Sequence, residues 1–236
     1  MDELNQDEIR NFYNDVTEIW PKENLWYKYT YNSIEKFLNR YKFEDESYVL
    51  NAGSAGNEYL LPYKFHHVDI SEKQLVNIKD ATITSIEALP FENEYFDNCI
   101  CVGSVLNYCD AVKSISELSR VLKKKGKLIL EFESSYGFEY INKRVYGDSA
   151  AIVSVQYNNI LHTQWLYSLK YIKNIIVAHN MLIKNIKCFN IISALSLNYL
   201  NDENKAAKYA KLDLIFQWLP YFRNHGNNII MLCEKL

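Results

Sequence analysis

Asp69 and the small-residue run before it are the residues of this chain best suited to hold a ligand. Asp69 stands at the carboxyl end of a predicted strand that begins over 65–68, 16 positions after Gly53. A carboxylate accepts two hydrogen bonds side by side, so at the carboxyl end of a strand it suits the adjacent hydroxyls of a ribose. The run Asn51, Ala52, Gly53, Ser54, Ala55, Gly56 has no bulky side chain. Such a loop lets the backbone approach a ligand closely and offers its N–H groups to an anion. Only Gly53 and Gly56 are present, where the dinucleotide fingerprint needs three glycines at GxGxxG spacing. A plain strand-to-helix turn is therefore the alternative for this stretch taken alone.

Groups able to move a proton lie further along. Tyr108, Glu133 and His162 are the foremost candidates, with Tyr136 and His179 beside them. None stands in a spacing that assigns it a role. His162 alternates on a predicted strand and faces either the site or solvent. His179 falls near a helix end, where interaction with the dipole is explanation enough. Cys99 and Cys101 flank Ile100 in an apolar run. A CxC pair with no third or fourth ligand nearby is a poor metal site, so core packing accounts for the pair and no metal is expected.

The elements that must position these residues follow from hydrophobic spacing. Residues 2–43 read as two helices broken at Pro21, with apolar stripes at Ile9, Phe12, Tyr13 and Val16, then Ile34, Phe37, Leu38 and Tyr41. These helices pack on the domain edge, or aromatics such as Tyr13, Tyr27 and Tyr29 cover a bound ligand. Residues 48–71 read as strand, tight turn, short helix and second strand. Ser71 caps a helix over 72–78. Strands follow at 81–84 and 96–102, the second apolar enough to be covered on both faces. A helix over 111–125 ends in Lys123 to Lys125, matching the negative end of its dipole, and Gly126 stops it. A fifth strand runs over 127–132. Strands alternating with helices predict a parallel sheet with right-handed crossovers.

The second half changes character. Runs at 152–156 and 161–165 flank Asn158 and Asn159 as a hairpin. Residues 169–178 are helical, 182–189 alternate, 203–219 form a helix ended by Pro220, and 228–233 are a last apolar strand. A hairpin and helices added after strand five predict a cap over the carboxyl ends of the sheet, where ligands of open α/β sheets bind. One domain is expected: N-terminal helices over 1–45, a ligand-binding core over 46–135, a cap over 136–200, and a final helix and strand over 201–236.

Composition narrows the function classes. The chain has 236 residues, is 48% hydrophobic and carries a formal charge of −3, enough for one full core and without the electrostatic footprint of a nucleic-acid binder. Five cysteines without regular spacing argue against a disulfide framework. The acidic, polar start MDELNQDEIR is wrong for a signal peptide, and no run approaches a membrane-spanning length. A cytoplasmic location without membrane partners is the expectation.

From about residue 48 to 133 the chain resembles the class I S-adenosylmethionine-dependent methyltransferases, specifically the small-molecule type. Four stretches carry the resemblance in order: VLNAGSAGN, HHVDIS, IEALPFENEYFDNCICVGSVLNY and ELSRVLKKKGKLILEFE. The ending WLPYFRNHGNNIIMLCEK is similar to the family's final helix, hairpin and strand. The resemblance implies an α/β, Rossmann-like sheet of seven strands, mostly parallel, with helices on both faces. The last strand is antiparallel, reversing at Gly226 and Asn227, and a cap is inserted after strand five. It also implies a cofactor, S-adenosylmethionine. Gly53, Ser54 and Ala55 would line its methionine portion, Asp69 its ribose, Ile70 its adenine, and Ile86 and Glu87 the adenine edge. Gly103 and Ser104 would sit under the methionine end, with Tyr108 near the methyl donor and Tyr13 among the cofactor contacts.

Three positions depart from the family pattern. Asn51 stands where an acidic residue is usual, Ala55 and Asn57 replace glycines, and Ser85 replaces an aspartate. Asn57 tolerates positive φ, whereas Ala55 there costs about 1–2 kcal/mol unless Gly56 takes up the bend. The expected activity is in-line methyl transfer to a small-molecule or short-peptide acceptor. The altered loop keeps open a second reading, a non-catalytic cofactor-binding regulatory or partner protein. An RNA methyltransferase is disfavoured by the charge.

Overall fold

The computed structural model describes residues 4–157 and 160–236. The chain enters with α1 (Gln6–Asp15) and α2 (Leu25–Arg40), separated by the segment containing Pro21. Asn5 and Asn24 cap them, their side-chain oxygens accepting from backbone N–H groups of the first turn. There follow β1 (Tyr48–Ala52), β2 (Lys64–Asp69), a one-turn α3 (Glu72–Leu75) capped by Ser71, β3 (Ala81–Ile83), β4 (Phe96–Cys101), α4 (Ala111–Val121) and β5 (Leu122–Glu133). Next come a hairpin of β6 (Ala150–Tyr157) and β7 (Ile160–Tyr167), then α5 (Leu169–Ala178) and β8 (Met181–Phe189). The chain ends with α6 (Ile192–Leu200), α7 (Glu203–Ala207), α8 (Asp213–Phe216) and β9 (Asn228–Lys235). The predicted hairpin tip, Asn158 and Asn159, lies outside the described residues.

The main sheet has seven strands in the order β3-β2-β1-β4-β5-β9-β8. Strands β1 to β5 pair in parallel, and β9 runs antiparallel to both β5 and β8. The last strand is thus the reversed one, as expected. Side chains alternate between the two faces, as the strand pleat requires. Leu50, Cys99, Cys101, Leu128 and Leu130 pack with Ile115 and Leu118 of α4 and with Ile172 and Ile176 of α5. Val49, Ile100 and Ile129 pack on the other face with Ile34, Phe37 and Leu38 of α2. Both faces are covered, which explains the continuous apolar character of the central strands. All five cysteines are free and buried, two of them inside this alternation.

Several elements differ from the reading of the sequence. No helix joins β1 to β2. Residues 53–63 form successive turns, with Gly53, Ala55, Gly56, Tyr59 and Leu60 all at positive φ. Left-handed residues cannot continue a right-handed helix, and Pro62 removes a donor besides. Helix α4 stops at Val121, and the lysine run belongs to the irregular start of β5 rather than to a helix end. Lys125 takes the left-handed turn at φ 64°. Gly126 is required there for another reason: a Cβ on it would lie 2.5 Å from the Asp97 carbonyl oxygen.

The structure also divides the stretch expected as a cap. The hairpin β6–β7 forms its own two-stranded sheet, but β8 returns to the main sheet. A second insertion, residues 190–227, carries α6 to α8 between β8 and β9, so that reversal is not made by Gly226 and Asn227 alone. The helix predicted over 203–219 is broken into α7, a 3-10 turn at 208–212, and α8.

Candidate functional site

Strands β1 to β5 are parallel, so their carboxyl ends share one edge, and a cavity of about 180 Å³ lies there. Its floor comes from the loops after these strands: Gly53 and Ala55, Asp69 and Ile70, Ser85 and Ile86, Gly103 and Ser104, and Glu133 at the end of β5. Its roof comes from the N-terminal segment, through Tyr13, Trp20, Trp26 and Tyr27, and from the hairpin, through Tyr157, His162 and Gln164.

At one end the backbone is bare. Gly53 sits at φ 68°, and a Cβ there would meet Val105 Cγ1 at 2.3 Å. Gly53 and Ser54 donate their N–H groups to the Val68 carbonyl at 2.7 and 3.1 Å, which folds the turn over the end of β2. Ala55 (φ 44°) and Gly56 (φ 74°) both take left-handed conformations, so Ala55 carries the strain the sequence reading assigned to it. Asn57 does not use positive φ. Instead Asn51 donates from Nδ2 to the Asn57 carbonyl at 2.7 Å, tying the loop from inside.

Asp69 holds the same turn. Its Oδ2 accepts from Ala55 N–H at 2.8 Å and its Oδ1 from Ser71 N–H at 2.9 Å. Burial pushes its carboxyl above the usual range, against the pull of those N–H groups. Each carboxylate oxygen has a second lone pair, so two hydroxyls can still be received.

Below the cavity a buried polar chain fixes the loop after β4. Glu131 Oε2 accepts from Gly103 N–H at 2.9 Å and Ser104 N–H at 2.7 Å. Its Oε1 accepts from Asn228 Nδ2 at 2.8 Å, and Asn190 Nδ2 donates to Asn228 Oδ1 and to Thr30 Oγ1. Burial raises the Glu131 carboxyl pKa. Asn107 performs a similar task for β5. It donates to the Glu133 and Trp165 carbonyls and accepts from Glu133 N–H, joining β5 to the hairpin.

The far end of the cavity is acidic. Glu133 accepts from Gln164 Nε2 at 2.7 Å and from Ser104 Oγ at 3.2 Å. Burial, then the nearby Glu139 and Glu131, push its pKa up to about 8. Glu139 accepts from Asn227 Nδ2 and has Lys143 Nζ at 3.8 Å, while Glu203 accepts from Asn24 Nδ2 at 2.8 Å. Burial raises both carboxyls. Among the described residues lining the cavity there is no lysine and no arginine.

One wall is an aromatic stack. Tyr108 is hydrogen-bonded to His162 Nε2 at 2.7 Å, Phe12 stacks on His162 at 4.6 Å, and Tyr13 meets Tyr108 edge-on at 5.3 Å. Burial raises both phenol pKa values and lowers that of the imidazole, so all three groups are neutral at pH 7. A second cavity of about 280 Å³, between α1 and the hairpin, lies against the same pair.

The structure therefore brings Tyr13, Gly53, Ala55, Asp69, Ile70, Ile86, Gly103, Ser104, Tyr108, Glu133 and His162 to one cavity. Ser54 and Glu87 do not line it. Ser54 Oγ bonds His67 Nδ1 at 3.0 Å and accepts from Gly56 N–H at 3.1 Å. Glu87 accepts from Asp110 N–H at 2.7 Å, which tethers the start of α4. Tyr136 packs on Tyr146 and His225, and His179 ends α5. Sequence reasoning missed Glu131, Glu139, Glu203 and Asn107. Only Glu131 carried a local signal, a carboxylate inside an apolar strand. No group of three or more His, Cys, Asp and Glu among the described residues could hold a metal ion.

Comparison with known proteins agrees with this geometry. Residues 50–130 match the family described as Methyltransferase domain. An uncharacterized protein of Methanocaldococcus jannaschii is 28% identical over 144 residues, covering 58% of this chain and 56% of that protein. The chain spans about half the length of the curated relatives it matches. The [4+2]-cyclase SpnF shares the fold with a TM-score of 0.63, at 12% identity over 99% of this chain and 97% of its own. Geranyl diphosphate C-methyltransferase of Streptomyces coelicolor A3(2), solved with Mg2+, geranyl diphosphate and S-adenosyl-L-homocysteine, does so with a TM-score of 0.61, at 12% identity over 98% of each chain. The matched segment runs from β1 to β5, and the seven-stranded order above is the Rossmann-like sheet of the methyltransferase fold, so this part of the chain is similar to the S-adenosylmethionine-dependent methyltransferases.

Proposed function

We propose that the protein transfers a methyl group from S-adenosylmethionine to an amine nitrogen of a small molecule or short peptide. One observation carries this reading: a single cavity runs from Asp69 and the bare turns at Gly53 and Gly103 to the carboxylate of Glu133, with no cationic side chain among the described residues that line it. The cofactor fits the first end. Asp69 would receive the ribose hydroxyls, Ile70 and Ile86 offer apolar surface for the adenine, and the Gly53 cradle leaves no room for a Cβ.

Bound there, the cofactor supplies an already activated methyl group. The chain's own task is to align the acceptor, manage its proton and exclude water. An ammonium group has no free lone pair and must lose a proton before attack. Glu133, held by Gln164 and Ser104, is placed to take it, and a pKa near the operating pH suits a general base. Glu139 and Glu203 favour a cationic acceptor by charge, and the aromatic side chains of Trp26, Tyr27 and Tyr140 line the same cavity, where cation–π contact with it would add to that preference. Trp20 of the N-terminal segment and Tyr157 of the hairpin both line the roof, where they would shield the centre from water.

The test is titration with S-adenosylmethionine, followed by assay of S-adenosylhomocysteine formation over primary amines, alcohols and thiols. Amine-dependent product formation supports the proposal. Turnover only with alcohols or thiols refutes the acceptor class. The strained Ala55 turn favours a second reading, a cofactor-binding protein without methyl transfer, and a fold shared with a cyclase shows that architecture does not fix the reaction. Cofactor binding with no turnover of any acceptor would select that reading.

A further inference from the structure

We propose that the surface formed by residues 199–223 docks the protein onto an anionic lipid bilayer. The inner side of this segment is well anchored. Ala206, Ala207 and Ala210 are buried, and the Asp213 carboxylate accepts from Ile191 and Ile192 N–H at 3.0 and 2.8 Å. The outer side is apolar and open. Tyr199 and Trp218 are each 81% exposed, Ile215 64%, and Leu214, Tyr209 and Tyr221 are exposed beside them. Soluble monomers rarely leave so many large apolar groups together in water, and such patches mark interaction sites.

The charges on this segment decide what it meets. Lys208, Lys211 and Arg223 are exposed and have no ion-pair partner among the described residues, while Lys205 is paired with Asp202. Of the acidic residues in 199–223, Asp202 is the one paired with Lys205, Glu203 lines the cavity, and the Asp213 carboxylate is turned inward. The surface is thus basic on a chain of net charge −3. Tryptophan, tyrosine and aliphatic side chains flanked by lysine and arginine complement a headgroup layer, where rings sit at the polar boundary and cations meet lipid phosphate. The sequence reading expected no membrane partner because it searched for a spanning run, and no described helix is long and apolar enough to cross a membrane. A face that lies on the bilayer needs no such run.

The cavity is built from the same elements. Leu197 of α6 and Glu203 of α7 line it, while Tyr199 and Tyr209 point outward from the neighbouring turns. Docking through this face would set the acceptor end of the cavity close to the lipid surface.

The experiment is co-sedimentation of the full chain with phosphatidylglycerol–phosphatidylcholine vesicles and with pure phosphatidylcholine vesicles, at low and at physiological salt. Binding to the anionic vesicles is expected, weakened by salt. Lys208→Glu with Lys211→Glu should reduce it roughly twenty-five-fold or more, at about fivefold per surface charge. Ile215→Ser with Trp218→Ser should abolish it. All four side chains are exposed, so melting temperatures should stay near the parent value, and circular dichroism checks that each variant is folded. No binding to anionic vesicles overturns the proposal, as does equal binding to neutral ones. A stable dimer that Trp218→Ser converts to monomer, without vesicle binding, would show instead that two copies cover this face.

Discussion

Asp69 has one duty in this structure and a second under the proposed function, and its substitutions should report both. It receives the Ala55 and Ser71 N–H groups, and in the proposed complex it would take the ribose hydroxyls. Asp69→Ala should weaken S-adenosylmethionine binding by about 1.5–3 kcal/mol, the scale of hydrogen bonds to a charged group. It should also lower the melting temperature, because two N–H groups lose their acceptor. The sequence placed Asp69 at the carboxyl end of a strand as a ribose ligand, which covers only the first effect. Calorimetric titration and thermal unfolding separate the two, and unchanged affinity in a folded variant would mean that the ribose is held elsewhere. Gly53→Ala is a stricter test of the cradle. The left-handed backbone costs an alanine about 1–2 kcal/mol, and displacing Val105 adds roughly 1–3 kcal/mol of overpacking. A Gly53→Ala protein with parental stability and affinity would show that this turn is not a tight cradle.

At the scale of elements, the site depends on joints between pieces distant in sequence. Asn107 is one, satisfying two carbonyls and an N–H on β5 and the hairpin. Asn107→Ala leaves these groups buried without partners, at about 1–3 kcal/mol for each. The variant should melt several degrees lower and lose turnover, because Glu133 and Gln164 are no longer held together; hydrogen exchange of 150–167 should rise first. The sequence could not show this joint. It showed β1, β4 and β5, because short apolar runs bounded by turn residues are local signals, and β2 through Phe65 and Val68 leading to Asp69. It also placed Asp69, Gly103 and Glu133 on one edge, since parallel strands deliver their carboxyl ends together. The 53–63 turns, the end of α4 and the path of 169–227 were illegible for the converse reason. Left-handed backbone at Tyr59 and Leu60, a strand beginning directly at Leu122, and the pairing of β8 with β9 are set by tertiary contacts. Glu139 and Glu203 reach the cavity through the same non-local folding.

For the whole molecule, carboxyl groups buried beneath and around one cavity make stability depend on pH in a definable direction. Burial raises the carboxyl pKa values of Asp69, Glu131, Glu133, Glu139 and Asp213 in the folded chain. A carboxyl whose folded pKa lies above its unfolded value binds its proton more tightly when folded. Its contribution is complete below the unfolded pKa and is lost as pH rises through the folded one. For Glu133 that window runs from 4.5 to about 8. Two groups oppose it lower down. His67 and His162 have lowered pKa values, so their contribution grows with pH until about 6.5 and is then complete. Between pH 6.5 and 8 the Glu133 effect is therefore no longer masked. The ligand-free protein should lose stability there, by at most about 1.4 kcal/mol per pH unit for one proton. That corresponds to roughly 2–4 °C of melting temperature per kcal/mol for a chain of this size. Glu133→Gln cannot ionise and should flatten the decline, leaving the variant's melting temperature above that of the parent at pH 8. Under the proposed mechanism, the same substitution should remove the rise of turnover with pH over this interval. Parallel melting curves for parent and variant between pH 6.5 and 8 would show that Glu133 does not titrate in this interval, and the assignment of the base would fall with it.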